Sequence, residues 1–367
     1  MLQLVKGLFQ QPRPSVREDG SKTQPVYLVG QLFRHHSRHS GYAGFVRYVG
    51  THLQPPVQSR RFPFRRFNDA VSLVTGRPYY SLGALLTEVS AGIHLLTKGD
   101  GLYHLLYGDM DYWLLSRIPR RSGTAVLATF HEPPEVLESL RLSERLLRSL
   151  DAAILMSESQ LSYFRDRMPH ERVYVIPHGI DTEFFRPSAT RSRAPLLITV
   201  GTHHRDFRTL TEALDILSRR VPGLEVVTVG ARKRRNDELD RQQFVRNLSG
   251  VSDDELLGYY RRARAAIFCF QESTASNALL EAMACGTPIV ATEVGGVREY
   301  LGDNAGILCP QEDPSAIAEA GIALLSDDQL AARLSTAARE RSLRYDYGVV
   351  AEHHVQVYRK ISDVRLD

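Results

Sequence analysis

The sequence contains little cysteine and no long apolar run, and each absence argues against a class of protein. Three cysteines occur in 367 residues, none in a C-x-x-C pair, which argues against a disulfide framework or a structural zinc site. No apolar run approaches the ~18 residues that span a bilayer. The first fifteen residues hold one lysine and too short an apolar stretch for a secretory signal. We therefore expect a reduced, cytoplasmic protein.

The remaining composition is ordinary for a globular protein, with 43% hydrophobic and 24% charged residues. The net charge of +4 conceals an asymmetry between the halves of the chain. Residues 1–187 carry 23 Lys and Arg against 17 Asp and Glu, whereas residues 188–367 carry 23 against 25. A basic first half indicates an anionic partner or membrane surface, or serves solubility alone. No motif supports nucleic-acid binding.

Apolar strands alternate with amphipathic helices along the chain. The pattern predicts a helix over 41–53 and strands at 24–30, 124–130, 150–157, 196–201, 224–230, 265–270 and 288–292. Continuous apolar strands separated by helices predict parallel sheets covered on both faces. A Pro-, Ser- and Arg-rich stretch at 185–195 reads as a linker.

The length and the linker together predict two domains of the α/β class. We expect doubly wound, Rossmann-like domains at 1–187 and 188–345, facing across a cleft. A helix within 346–367 would cross back to the first domain. Ligands of such sheets bind at the carboxyl ends of the strands, so the cleft is the expected site.

A polar loop joins the strand at 265–270 to an apolar helix that ends before Gly286. The backbone N–H groups of Ser276, Asn277 and Ala278 would lie at the sheet's carboxyl edge. Unpaired N–H groups at a helix N-terminus attract anions, and a diphosphate fits such a site.

Two glutamates accompany this helix. Glu272 either complements the helix dipole, worth about 0.3–1 kcal/mol, or contacts a ligand. Glu281 lies one turn inside a helix of Ala, Leu, Met and Cys, where an unpaired carboxylate is costly. Its partner would be the hydroxyl groups of a sugar, which a carboxylate can bind in a fork, or a structural arginine.

Four stretches together resemble the donor site of the retaining GT-B glycosyltransferases of family 4, the glycosyl transferases group 1. They are VIPHGIDTEFFRP (175–187), LLITVGTHHRDFRTLTEAL (196–214), VSDDELLGYYRRARAAIFCF (251–270) and QESTASNALLEAMACGTPIVATEVGG (271–296). The resemblance covers 170–310 well and the first 170 residues only through SGYAGF and TFHEPP.

The resemblance implies the GT-B fold and sugar transfer from a nucleoside diphosphate sugar, UDP-linked before GDP-linked, to a hydroxyl acceptor. It also implies retention of anomeric configuration, without a metal or a bound cofactor. His131, Arg205 and Glu272 would form the catalytic set. Glu281 would hold the ribose and Val251 the base.

The resemblance further implies a diphosphate site in which Arg205 stands for the family's usual lysine. Arginine can bind phosphate bidentately, so this exchange is chemically sound. Thr202 replaces a second arginine of the family, a loss that His203 or His204 could cover. The full diphosphate set is Gly41, His204, Arg205, Ser276, Asn277 and Ala278.

The donor sugar would contact the loop before the helix. Eight residues separate the two glutamates where the family has seven, so Glu272 or Ser273 fills the first position. The sugar-binding set is Glu272, Ser273, Thr274 and Ala275.

Other interpretations stay open. A non-hydrolysing nucleotide-sugar epimerase would need acids in the first half of the chain, poised for elimination. A non-catalytic sugar-nucleotide-binding partner subunit is favoured by Thr202 and by the shifted first glutamate. The D-x-D spelling at 109–111 lies in the first domain, away from the predicted diphosphate. Histidines at 35, 36 and 39 have no carboxylate beside them in the sequence, which is poor for a metal.

Two basic stretches in the first half of the chain bear on the acceptor. Basic and aromatic residues alternate at 60–67, and 119–123 adds further arginines. These stretches form either a peripheral patch for anionic lipid headgroups, or a solvated loop, or a basic pocket for a soluble anionic acceptor.

Overall fold

The computed structural model describes residues 24–30, 37–49, 53–57, 65–98, 100–140, 142–189, 194–230, 239 and 242–364. Within these ranges the chain forms two compact units. The N-unit contains residues 24–30, 42–177 and 347–364. The C-unit contains 178–346 together with a short segment, Ser37–Gly41.

The N-unit is built on a parallel sheet with strand order β2-β1-β3-β4-β5-β6. Its interior strands are mainly apolar and completely buried, because helices lie on the sheet's faces. The strands are β1 (Val26–Val29), β2 (Leu53–Val57), β3 (Gly101–Leu105), β4 (Thr124–Phe130), β5 (Ala152–Leu155) and β6 (Val173–Val175).

The helices of the N-unit include the last helix of the chain, Tyr347–Val364, which packs on the 3-10 helix Tyr42–Tyr48. The α-helices that precede it are α1 (Arg65–Thr75), α2 (Leu82–Lys98), α3 (Gly108–Asp111), α4 (Pro134–Ser139), α5 (Glu144–Arg148) and α6 (Leu161–Phe164). Shorter 3-10 turns lie at Leu115–Arg117, Glu158–Gln160 and His170–Arg172.

The helix predicted over 41–53 is wrong in type and extent. The structure has a 3-10 helix at Tyr42–Tyr48 and then strand β2. Gly44 explains part of this difference, because it lies against the ring of Tyr347 and a Cβ there would fall 2.0 Å from Tyr347 Cζ. Glycine also costs about 1 kcal/mol relative to alanine within a helix.

The C-unit contains a second parallel sheet, with strand order β12-β11-β10-β7-β8-β9. The chain begins at β7, runs outward through β8 and β9, and then returns to β10 on the other side of β7. The strands are β7 (Leu196–Val200), β8 (Glu225–Val229), β9 (Val245–Leu248), β10 (Ala265–Phe268), β11 (Ile289–Thr292) and β12 (Ile307–Cys309).

Helices cover both faces of this sheet. Ile198 and Val200 point into one apolar cluster with Leu279, while Leu197 points into the other with Leu214. The α-helices are α7 (Phe207–Arg220), α8 (Asp253–Arg262), α9 (Asn277–Ala284), α10 (Val297–Leu301), α11 (Pro314–Ser326) and α12 (Asp328–Ser342), followed by the 3-10 helix Leu343–Tyr345. Both sheets therefore have the parallel, two-faced architecture that the sequence predicts.

We expect Gly44→Ala to destabilise the N-unit, because the new methyl group has to displace the Tyr347 ring or the 3-10 helix. Overpacking of this kind costs about 1–3 kcal/mol. The matched control is Gly258→Ala on α8, where a Cβ meets nothing within 4 Å. Thermal unfolding followed by circular dichroism should show a lower midpoint for the first variant only. Equal midpoints in the two variants would show that the Gly44–Tyr347 packing is misassigned.

Candidate functional site

The candidate site lies where the strand order of the C-unit reverses. β7 and β10 are neighbours in the sheet, yet the chain leaves them toward opposite sides. In doubly wound sheets the loops at such a point diverge and leave a crevice for ligands. Here the two loops are joined by a backbone bridge between Arg205 and Phe270 and by the Gln271 N–H, which donates to the His204 carbonyl at 2.9 Å.

Arg205 occupies the centre of this crevice. Its Nη2 donates to the Val200 carbonyl at 2.9 Å, its Nη1 to the His203 carbonyl at 3.1 Å, and its guanidinium lies 4.2 Å from the Phe270 ring centre. Gly201 leaves the necessary room, because a Cβ there would fall 2.9 Å from Nη2, and its φ of +93° favours glycine.

The charge of Arg205 has no anionic partner in the described part of the chain. Its hydrogen bonds go to neutral oxygens, and its buried Nε makes none. Burial lowers the pKa of the guanidinium to about 10, so it stays positive at neutral pH. A half-buried cation without a counter-ion loses part of its hydration, and an anionic ligand would compensate that loss.

The N-terminus of α9 faces the same guanidinium. Ser276 caps the helix by accepting the Leu279 N–H at 3.3 Å, and its Oγ also lies 3.4 Å from Arg205 Nη2. The N–H groups of Asn277 and Ala278 belong to the first turn, where a helix supplies no acceptor. Arg205 and the helix terminus thus present positive charge and open donors side by side.

Two further buried polar atoms at this helix start have no partner among the described residues. They are Thr274 Oγ1 and Asn277 Oδ1. Native structures leave few such atoms unpaired, and a bound ligand is one explanation. A hydroxyl and an amide oxygen suit sugar hydroxyl groups, whereas Arg205 and the helix N–H groups suit phosphate.

A cleft of about 420 Å³ opens beside Arg205. His203 and His204 lie in it with their ring centres 3.8 Å apart, and His204 has a φ of +50°. The lining residues are Thr202, His203, His204, Arg205, Phe207 and Gln271. Thr202 and the two histidines thus line one cleft with Arg205, and their roles toward a diphosphate stay predictions.

The loop of the predicted sugar-binding residues is fixed by a close backbone contact. The Gly296 N–H donates to the Ser273 carbonyl at 2.8 Å, and a Cβ on Gly295 would fall 2.1 Å from that oxygen. Ser273 and Thr274 are buried, whereas Glu272 is half-buried. The assignment of the first sugar-binding position to Glu272 or Ser273 stays a prediction.

Glu281 is 4% exposed and lies one turn inside α9. It accepts hydrogen bonds from Ser40 Oγ at 2.5 Å and from Tyr260 OH at 2.9 Å. Burial raises the pKa of this carboxyl, and the two hydrogen bonds oppose that effect. Among the described residues its partners are hydroxyl groups and not the arginine considered above.

Two other predicted residues lie near these elements. Gly41 follows Ser40 directly and has a φ of +121°, which favours glycine. Val251 precedes Ser252, the N-cap of α8, and packs against the apolar cluster that contains Leu279. The C-unit thus contains every predicted site residue except His131.

His131 lies in the N-unit after β4. Its Nε2 donates to the Leu106 carbonyl at 2.8 Å, and its ring lies between Tyr42 and Tyr107. Burial lowers the pKa of the imidazole to about 4, so the ring is neutral at physiological pH. Because the carbonyl can only accept, Nε2 carries the proton and Nδ1 offers a lone pair.

The D-x-D motif at 109–111 has a structural role through Asp109. Asp109 is buried and accepts the backbone N–H groups of His131 at 2.8 Å and Glu132 at 3.4 Å. Burial raises the pKa of its carboxyl to about 7. Asp109 therefore holds the turn that carries His131.

Sequence reasoning missed the contacts that join distant parts of the chain. Ser40 and Tyr260 were not recognised as partners of Glu281, and no carboxylate was assigned to His39. The structure pairs His39 Nδ1 with Asp181 Oδ2 at 2.6 Å, a carboxylate 142 residues further along the chain. These partners are separated by up to 241 residues, and no local pattern marks them. Histidines 35 and 36 lie outside the described residues.

Solved structures with the same architecture define the class of fold. Sucrose-phosphate synthase from Thermosynechococcus elongatus superposes with a TM-score of 0.71 at 20% identity, covering 93% of this chain and 100% of that one. Anabaena HepE in complex with UDP and glucose gives 0.69 at 15% identity, covering 92% and 100%. The fold is GT-B, which confirms the prediction.

Sequence comparison then shows which family the C-unit resembles. Residues 194–327 match the model of the glycosyl transferases group 1. Phosphatidyl-myo-inositol mannosyltransferase of Mycolicibacterium smegmatis is 28% identical over 258 residues, 65% of either chain. D-inositol 3-phosphate glycosyltransferase of Xylanimonas cellulosilytica is 29% identical over 216 residues, 51% of either chain. The alignments thus span between half and two thirds of these relatives' lengths.

Proposed function

We propose that the protein is a glycosyltransferase that moves a hexosyl group from a nucleoside diphosphate sugar to a hydroxyl acceptor with retention of configuration. The observation that carries this proposal is Arg205, a half-buried cation with no anionic partner among the described residues, beside the open N–H groups of α9. The names of the relatives and the UDP and glucose held by Anabaena HepE support it. We propose UDP before GDP.

The chemistry of the leaving group explains this arrangement. As the bond between the sugar's anomeric carbon and the phosphate oxygen breaks, negative charge grows on the diphosphate. Arg205 and the N–H groups of Asn277 and Ala278 are already oriented, so they stabilise that charge without reorganisation. Because these donors neutralise the diphosphate, we propose that no metal or bound cofactor is required.

The other roles follow from the position of each residue. Gly41, His204 and Ser276 would complete the diphosphate site, Glu281 would bind the ribose, and Val251 the base. The loop 272–275 would contact the sugar. His131 would accept a hydrogen bond from a sugar hydroxyl through Nδ1, because its pKa of about 4 keeps the ring neutral.

Retention requires that the acceptor oxygen attack the anomeric carbon from the face that the diphosphate leaves. We propose that the acceptor O–H bond breaks as the new C–O bond forms, and that the departing phosphate oxygen takes the proton. The products are a glycoside of unchanged anomeric configuration and a nucleoside diphosphate.

Incubation with UDP- and GDP-hexoses in the absence of acceptor tests the function. We expect slow hydrolysis that persists in EDTA, with the first-formed sugar keeping the donor's configuration in proton NMR. A 2-epimer of the donor would instead indicate an epimerase. Tight nucleotide binding without any turnover would indicate a non-catalytic partner subunit. Inversion of the released sugar contradicts the proposed mechanism.

We expect Arg205→Ala to weaken binding of nucleoside diphosphates at least about tenfold, which is about 1.4 kcal/mol. The variant removes the charged donor that the phosphate would otherwise meet. Arg208→Ala is the matched control, because Arg208 lies three residues later and points to solvent beside Glu312 at 3.9 Å. Calorimetric titration with UDP and GDP gives the affinities. A loss below about threefold in the first variant would remove Arg205 from the site.

For the acceptor we propose a glycan or lipid-linked hydroxyl at the surface of an anionic membrane, since one relative is named for a phosphatidylinositol substrate. Of the twelve large hydrophobic side chains exposed in the described chain, eight lie between Phe67 and Leu96. On α2 they have the helical spacing of a single stripe, formed by Leu86, Val89, Ile93 and Leu96.

The basic residues of the predicted patch lie at 60–67 and 119–123. Residues 60–64 lie outside the described residues, and Arg120 of the 119–123 stretch pairs with Asp151 at 3.0 Å. No described helix has the length and hydrophobicity to cross a bilayer. The proposed contact is therefore peripheral, at the cytoplasmic face.

We expect the double variant Ile93→Asn, Leu96→Asn to reduce co-sedimentation with vesicles containing phosphatidylglycerol. Both side chains are more than half exposed, so the change should leave the fold intact while removing apolar surface from the bilayer contact. Leu343→Asn in the C-unit, 46% exposed, is the control. Failure of the wild-type protein to bind these vesicles at low salt would refute the membrane contact.

A further inference from the structure

The segment Ser37–Gly41, which we call the strap, belongs to the C-unit although the residues that follow it belong to the N-unit. The strap is a tight turn closed by its own hydrogen bonds. The Ser37 N–H donates to the Ser40 carbonyl at 2.9 Å, and the Ser40 N–H donates to Ser37 Oγ at 3.0 Å. The turn therefore has a defined shape of its own.

His39 anchors one side of the strap. Its ring stacks on Phe184, with ring centres 3.8 Å apart and planes 12° apart. Its Nδ1 lies 2.6 Å from Asp181 Oδ2, and the other oxygen of that carboxylate accepts the Phe184 N–H at 2.9 Å. His39 thus holds the strap in place both by stacking on Phe184 and by pairing with the Asp181 carboxylate.

Ser40 forms the other anchor, on Glu281. Both residues are buried, and Ser40 Oγ donates to the carboxylate at 2.5 Å. The second donor to this carboxylate, Tyr260 OH, comes from α8, which the C-unit holds firmly through its apolar cluster. Of the two hydroxyl groups on Glu281, only that of Ser40 comes from a segment outside the main body of the C-unit.

We propose that the Ser40 hydroxyl occupies the position on Glu281 that a ribose hydroxyl of the donor takes, and that the donor binds by exchanging its hydroxyl for that of Ser40. This inference rests on the proposed function. One hydroxyl replaces another on the same carboxylate, so the exchange gains little net hydrogen bonding. Ser40 is therefore an affinity-setting residue that keeps nucleotide binding weak enough for product release.

The exchange predicts a gain of affinity when the competing hydroxyl is removed. In Ser40→Ala the buried carboxylate keeps only Tyr260, so an incoming ribose hydroxyl satisfies an acceptor that is otherwise unpaired. We expect UDP to bind about three- to tenfold tighter, and 2′,3′-dideoxy-UDP to change less than about twofold. Ser40→Cys, which keeps the volume but donates weakly, should act in the same direction.

Calorimetric titration of the full chain with both nucleotides tests the exchange, with Ser326→Ala on an exposed part of α11 as the control. An unchanged or weaker affinity for UDP in both Ser40 variants overturns the exchange while leaving the proposed function in place. An equal gain for UDP and its dideoxy analogue also overturns it, because the gain would not depend on the ribose. If neither the wild-type protein nor the variants bind UDP or GDP, the proposed function itself fails.

Discussion

The guanidinium of Arg205 is half-buried in a crevice of the C-unit and, within the described residues, has no anion beside it. Such an ion is tolerated only when other terms compensate the lost hydration. Here two carbonyl groups and the face of Phe270 provide part of that compensation. Under the proposed function the remainder comes from the ligand, as a negatively charged group beside α9.

Other elements of the C-unit fix the position of the Arg205 guanidinium relative to α9. Gly201 makes room for the guanidinium, and the sheet topology brings its loop next to the loop after β10. The Ser276 cap directs the first turn of α9 toward the same crevice. Ser276, at 3.4 Å from Arg205, connects the two halves of the site. The proposed binding of one diphosphate by the helix terminus and the cation would benefit from this fixed arrangement, because electrostatic stabilisation is strongest when the donors do not have to move.

The sequence predicts the secondary structure around Arg205 well because its signals are local. The strand at 265–270, the capped helix from Asn277 and the arginine after β7 all follow from short patterns, and the structure bears out their placement. The region 65–105 was not predicted, and it contains α1, α2 and β3. The contacts of Ser40 and His39 could not be predicted either, because their partners are far away in the chain. Such pairing depends on the fold, which a local pattern does not encode.

The most direct test of the account is a crystal structure of the protein with bound UDP or GDP. The account predicts that oxygens of the β-phosphate lie within hydrogen-bonding distance of the Arg205 guanidinium and of the N–H groups of Asn277 and Ala278. A diphosphate bound anywhere else, with Arg205 still lacking an anion, would contradict it.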